Sequence, residues 1–131
     1  MEDNFKTEII SPEKIIFSEN ANMVTLPSYE GDMSILKNHI SIITFLRPGI
    51  IKVKKNNENF EDFFVQDGTI EFFNENLTIL SSSVINVKDI SSEFLGNLNE
   101  DIEKQLSNKN LSDHEQYLLN YKLDTLKKIK N

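Results

Sequence analysis

Apolar residues in the first two thirds of the chain come in short runs: Phe5 to Ile10, Ile15 to Phe17, Met23 to Leu26, Ile40 to Leu46, Ile50 to Val53, Phe60 to Val65, Thr69 to Phe73 and Leu77 to Leu80. β-Branched and aromatic residues are common in them, as suits a pleated, half-buried surface. Turn-forming residues separate the runs: Ser11-Pro12, Glu19-Asn20, Glu30-Gly31-Asp32, Pro48-Gly49, Asn56-Asn57, Asp67-Gly68 and Asn74-Glu75-Asn76. Alternation is clear at Ile51 and Val53 against Lys52 and Lys54. Short strands at such spacing, with no long helical pattern among them, predict an antiparallel β-sandwich or flattened barrel.

The period changes near Val87–Ser92. Ile90, Phe94, Leu98, Ile102 and Leu106 recur every four residues with Leu95 beside them, which is one stripe of a helix. Ser91 or Ser92 caps it, and Gly96 weakens it. Ser107 to Ser112 reads as a connector. Ser112 followed by Glu115 is a capping-box pattern. A second helix then runs to about Ile129 with Leu119, Leu123, Leu126 and Ile129 on its apolar side, widened by Tyr117, Leu118 and Tyr121. Lys127, Lys128 and Lys130 fall in its last turn and complement the helix dipole. The expected division is a β domain over residues 1–87 and an antiparallel two-helix hairpin over 88–131. Such a pair buries too little surface to be stable alone, so it must pack on the β domain or on another protein.

Fourteen basic against twenty-one acidic side chains give a net charge of −7, which argues against nucleic acid and anionic lipid as partners. The chain has no cysteine, which removes disulfides, thiolate catalysis and Cys-based zinc sites. No run approaches the roughly 18 apolar residues of a membrane span, so direct membrane insertion is not expected. The N-terminal MEDNFKTEIISPE has no apolar segment of the kind found in signal peptides.

Candidate chemistry is sparse. The two histidines, His39 and His114, have no serine set as in a nucleophile elbow, so His39 reads as a structural or interface group and His114 as helix surface. Glu30 and Asp32 lie near His39 in sequence, but turn carboxylates are ordinarily solvated and no metal is expected. The four glycines form neither a P-loop nor a dinucleotide fingerprint, and no cofactor is expected. What remains is surface. The turn-rich segment Glu30 to Met33, placed before an apolar run, suggests a contact loop on a rigid scaffold.

The order of these features resembles the epsilon subunit of bacterial F-type ATP synthases, the equivalent of the mitochondrial delta subunit. Glu8-Ile9-Ile10-Ser11-Pro12-Glu13, Phe17-Ser18 and Val24 to Pro27 open the resemblance. Glu30-Gly31-Asp32-Met33-Ser34-Ile35-Leu36 and His39 stand where the family has EGELGILPGH. Arg47-Pro48-Gly49, Gly68-Thr69-Ile70-Glu71-Phe72 and Asn76-Leu77-Thr78-Ile79-Leu80 complete it, so that it covers about residues 5 to 90. Lys37-Asn38 replaces the family's Pro-Gly, and Ser34 a Gly.

The resemblance implies a non-catalytic rotor subunit that docks gamma to the c-ring, couples proton flow to ATP synthesis, and lies on the cytoplasmic face of the bacterial inner membrane. It implies a c-ring contact through Glu30, Gly31, Asp32, Met33 and His39. It also implies a hairpin that can rise along gamma, reach the alpha/beta head and inhibit ATP hydrolysis. The ATP-binding motif of some members is not matched, because Asp89-Ile90-Ser91-Ser92-Glu93-Phe94-Leu95 lacks its second Asp and its Arg. Read from the residues alone, a free-standing β-sandwich that binds a protein or ligand through the same loops stays open.

Overall fold

The computed structural model describes residues 3–129. Ten strands form in chain order: β1 (Phe5–Ile10), β2 (Ile15–Ala21), β3 (Met23–Ser28), β4 (Gly31–Leu36), β5 (Ile42–Leu46), β6 (Gly49–Lys54), β7 (Phe60–Val65), β8 (Gly68–Phe73), β9 (Asn76–Leu80) and β10 (Ile85–Asn86). A single 3-10 turn (Val87–Asp89) leads to α1 (Ser92–Leu106) and α2 (Asp113–Ile129).

The hydrogen-bonded order β10-β7-β6-β3-β5-β8-β9-β1-β2, with β4 on β3, is one sheet folded at a corner. Strands β10, β7, β6, β3 and β4 make one layer, and β5, β8, β9, β1 and β2 the other. The corner is the single β3–β5 pair, Ser28 with Leu46. All pairs are antiparallel except β1 with β9, which run parallel. The sandwich expected from the strand spacing is thus observed, with one parallel pair that short-range pattern could not show.

Inward-facing Ile9, Phe17, Val24, Leu26, Leu46, Ile51, Val53, Phe63, Ile70, Phe72, Leu77 and Ile79 are all buried between the layers. The rings of Phe17 and Phe63 meet edge to face across the core at 5.6 Å. At the rim Lys55 bridges Glu61 at 3.0 Å and Glu19 at 3.7 Å, and the bond to Glu61 holds its ammonium above the ordinary lysine range.

Pro48-Gly49 separates β5 from β6 as expected; both strands pair with β3, so the chain passes a corner there. Two turn expectations are corrected. Glu19 and Asn20 lie inside β2, paired with Thr7 and Lys6. The Glu30–Met33 segment is a tight turn only at Tyr29-Glu30, and Gly31 to Leu36 form a strand along β3. By contrast Asn74-Glu75 is the expected hairpin turn, with both residues at positive φ (53° and 61°), as a type I′ geometry requires.

The helices form as the stripes predict. Ser91 caps α1, its Oγ accepting from the Phe94 N–H at 3.0 Å. Ser112 and Glu115 form the reciprocal capping box at 3.1 Å each way, and the bond from the Ser112 N–H lowers the Glu115 carboxyl below the ordinary glutamate range. Lys130, expected in the last turn, lies outside the described residues.

Leu95, Ile102, Leu119 and Leu126 are buried in a second core with Phe64, flanked by Ile50, Val87 and Leu98. Phe64 and Ile50 are directly paired on the outer face of β7 and β6. The hairpin therefore packs on that face.

Two substitutions test this packing with opposite signs. Phe64→Ala removes the ring shared by sheet and hairpin and is expected to cost about 3–5 kcal/mol in denaturant unfolding. Gly96→Ala, where an added Cβ meets nothing within 4 Å, is expected to add about 0.5–1 kcal/mol. A neutral Phe64→Ala would contradict the docking of the hairpin described here.

Candidate docking surface

The five residues singled out in the sequence do not form one patch. Tyr29-Glu30 make the β3–β4 turn, braced by Ser28, whose hydroxyl donates to the Gly31 carbonyl at 2.6 Å and accepts from the Glu30 N–H at 3.3 Å. Gly31 sits at φ 121°, a conformation that side-chain-bearing residues rarely adopt. Met33 is half-buried and packs on the sandwich core. His39 lies beyond the far end of β4, and a six-residue strand spans about 17 Å. There its Nδ1 lies 2.7 Å from the Ile40 carbonyl, and its ring meets Phe72 edge-on at 5.9 Å. The adjoining turn is tied to the β8–β9 turn by the Asn38 N–H donating to Glu75 at 3.0 Å.

Asp32 points outward, with 71% of its side chain exposed, yet Oδ1 accepts from Arg47 Nη2 at 2.8 Å. The guanidinium belongs to the β5–β6 corner and is itself buried. The Glu30–Asp32 end is thus an acidic turn backed by a buried cation. Arg47 was visible in the sequence only as part of a turn.

A second surface was missed. The outer face of the layer β5-β8-β9-β1-β2 carries large apolar side chains in the open: Ile43 (73% exposed), Phe45 (58%), Phe73 (65%), Leu80 (49%) and Ile15 (59%). Strand register explains their grouping. Phe45 pairs with Thr69, Thr69 with Leu80, Leu80 with Ile10, and Ile10 with Ile15, so one row crosses all five strands. The next row is Ile43, Glu71, Thr78, Glu8 and Ser18, which sets two carboxylates beside the apolar one.

At the turn end of this face a groove of about 620 Å³ opens between Tyr29, Phe45, Gly68 and Leu80. Gly68 is required there, because a Cβ would stand 2.6 Å from the Leu80 carbonyl oxygen. Contiguous exposed apolar surface of this kind, rimmed by polar residues, marks a protein-binding face. Its signature was present as alternation in Ile43-Thr44-Phe45-Leu46. Both faces of that run are apolar, so the pattern alone did not say which was outward.

Among the described residues no three His, Asp or Glu side chains are grouped to hold a metal ion. No helix among them is long and apolar enough to cross a membrane.

Residues 4–87 match the family described as ATP synthase, Delta/Epsilon chain, beta-sandwich domain. The ATP synthase epsilon chain of Pelagibacter ubique is 44% identical over 98% of this chain and 99% of its own length. That of Parvibaculum lavamentivorans is 30% identical over 100% of this chain and 98% of its own.

Among solved structures, a chain of the Euglena gracilis mitochondrial ATP synthase superposes with a TM-score of 0.75 at 15% identity, covering 99% of this chain and 81% of that one. A chain from the central stalk and c-ring of the Tetrahymena thermophila mitochondrial enzyme gives 0.61 at 14% identity, covering 95% and 92%. These two likenesses show the fold. The family match across the sandwich and the identity along nearly the whole chain together show that this protein belongs to the ATP synthase epsilon-chain family.

Proposed function

We propose that the chain is a central-stalk subunit of an F-type ATP synthase, holding the gamma subunit against the ring of c subunits so that rotation driven by proton flow reaches the catalytic head. The observation that carries this reading is the uncovered row of Phe45, Leu80 and Ile15 with Ile43 and Phe73 around it, on a layer whose inner face is fully committed to the core. In this reading gamma covers that face. The carboxylates of Glu71 and Glu8 favour a partner whose apolar ridge is flanked by basic residues.

The Tyr29–Asp32 end meets the polar loops of the ring, with Glu30, Gly31 and Asp32 at the contact and Met33 supporting it from the core. His39, at the other end of β4, serves the same docking by fixing the β4–β5 connection rather than by touching the same loops. The subunit is non-catalytic, and its part in coupling is rigid attachment. It sits peripherally on the cytoplasmic face of a bacterial inner membrane, held there by the ring.

The boundary at 87/88 divides the fixed sandwich from a hairpin that can leave it and approach the alpha/beta head. Any inhibition of ATP hydrolysis would belong to that hairpin. No ATP site is proposed, since the run from Asp89 to Leu95 lacks the family's second Asp and Arg.

Phe45→Glu together with Leu80→Glu places two carboxylates in the proposed gamma interface. Co-expressed with gamma, the native chain is expected to co-elute on size exclusion and the double variant to bind at least about tenfold more weakly. Undiminished co-elution would overturn the assignment of this face. Asp32→Lys reverses the charge at the ring-facing turn, and membranes carrying that enzyme are expected to couple proton flow to synthesis less tightly. Native coupling would mean that the turn is merely solvated.

A further inference from the structure

We infer that Arg47 is a latch between the ring-facing turn and the helical hairpin, and that the exposed carboxylate of Asp32 sets how firmly it holds. Arg47 leaves the β5–β6 corner with only 9% of its surface exposed. One end of its guanidinium donates to Asp32 at 2.8 Å, and Nη1 donates to the Pro48 carbonyl at 3.2 Å. The plane lies over the ring of Tyr121 on α2, with Cζ 4.1 Å from the centroid. Its Nε is buried without a hydrogen-bond partner among the described residues. Besides the Pro48 carbonyl, one anchoring carboxylate and one aromatic cap hold the buried guanidinium.

Tyr121 is also the end of a ladder. It meets Tyr117 edge-on at 4.8 Å, Tyr117 stacks on His114 at 6.3 Å, and His114 stacks on Tyr29 at 6.1 Å. Residues 114, 117 and 121 share one face of α2. The β3–β4 hairpin therefore grips α2 twice, through Tyr29 at the helix start and through Asp32 and Arg47 one to two turns later. These contacts lie apart from the apolar core formed by Leu119 and Leu126 with Phe64.

The consequence is a coupling between distant surfaces. Asp32 acts on α2 through Arg47, and most of its side chain remains open to a competitor. A cationic group that takes this carboxylate removes the anchor of the guanidinium and loosens the hairpin. Arg47 and Asp32 are in this sense positioning residues for α2. The identity of the competitor rests on the ring assignment above; the latch does not.

Hydrogen exchange on the isolated full chain tests the latch. Tyr121→Leu keeps an apolar helical residue but removes the cap, and the amides from Leu118 to Leu126 are expected to exchange roughly three- to thirty-fold faster. Tyr121→Phe keeps the ring and is expected to behave as the native chain. Asp32→Asn is expected to speed the same amides while β8 and β9 stay unchanged. Native exchange of α2 in Tyr121→Leu or in Asp32→Asn would overturn the inference, as would a Tyr121→Phe chain as loose as the leucine variant. Exchange of α2 in the assembled synthase, with and without the c-ring, separates the two claims. If the isolated variants loosen as expected but the ring has no effect, the ring assignment fails and the latch stands.

Discussion

The C-terminal half of β7, Phe63 to Val65, is buried on both faces, and the arrangement of the molecule follows from that. Phe63 points inward to meet Phe17 between the layers, while Phe64, one residue on, points outward beside Ile50. A strand in an antiparallel sandwich ordinarily leaves its outer face to water. Here that face carries a phenylalanine that must be covered, and α1 and α2 cover it with Leu95, Ile102, Leu119 and Leu126. The dependence is mutual, because two helices of 15 and 17 residues bury too little by themselves to hold together. One strand is thus the wall between two cores.

The two layers consequently have different outer faces. That of β6 and β7 is covered within the chain around Phe64 and Ile50. That of β5, β8, β9, β1 and β2 is not, and its apolar row is continuous because strand register aligns Phe45, Leu80 and Ile15. The division leaves a slab with one open apolar side and a helical hairpin packed on the other. At the end of the slab the acidic turn and the Arg47 contact join the two functions, since the carboxylate that faces outward also steadies the cation on which α2 rests.

Much of this was legible in the chain. The strand runs, the capping serines and the four-residue stripe of α1 each have a local physical cause, and each is where the pattern placed it. β4 was hidden because Gly31 and Asp32 have turn chemistry and its side chains alternate weakly; only pairing with β3 makes it a strand. Glu19 and Asn20 look like a turn but are held extended by β1. Arg47-Pro48-Gly49 reads as a turn, but that it makes a corner follows only from pairing, because the residues on both sides of it pair with the same strand. The contact of Arg47 with Tyr121 joins residues far apart in sequence that share no periodicity, so nothing local announces it. The family resemblance supplied the partner, while the face proposed to meet it became visible only when register brought the exposed residues into one row.

Side-chain footprinting of the full chain, alone and in complex with gamma, tests the central claim most directly. The account predicts strong protection of Phe45, Phe73 and Leu80 on binding, with the β6–β7 face and the Phe64 core unchanged. Protection centred on α1 and α2, with Phe45 and Leu80 as reactive in the complex as in the free chain, would contradict it.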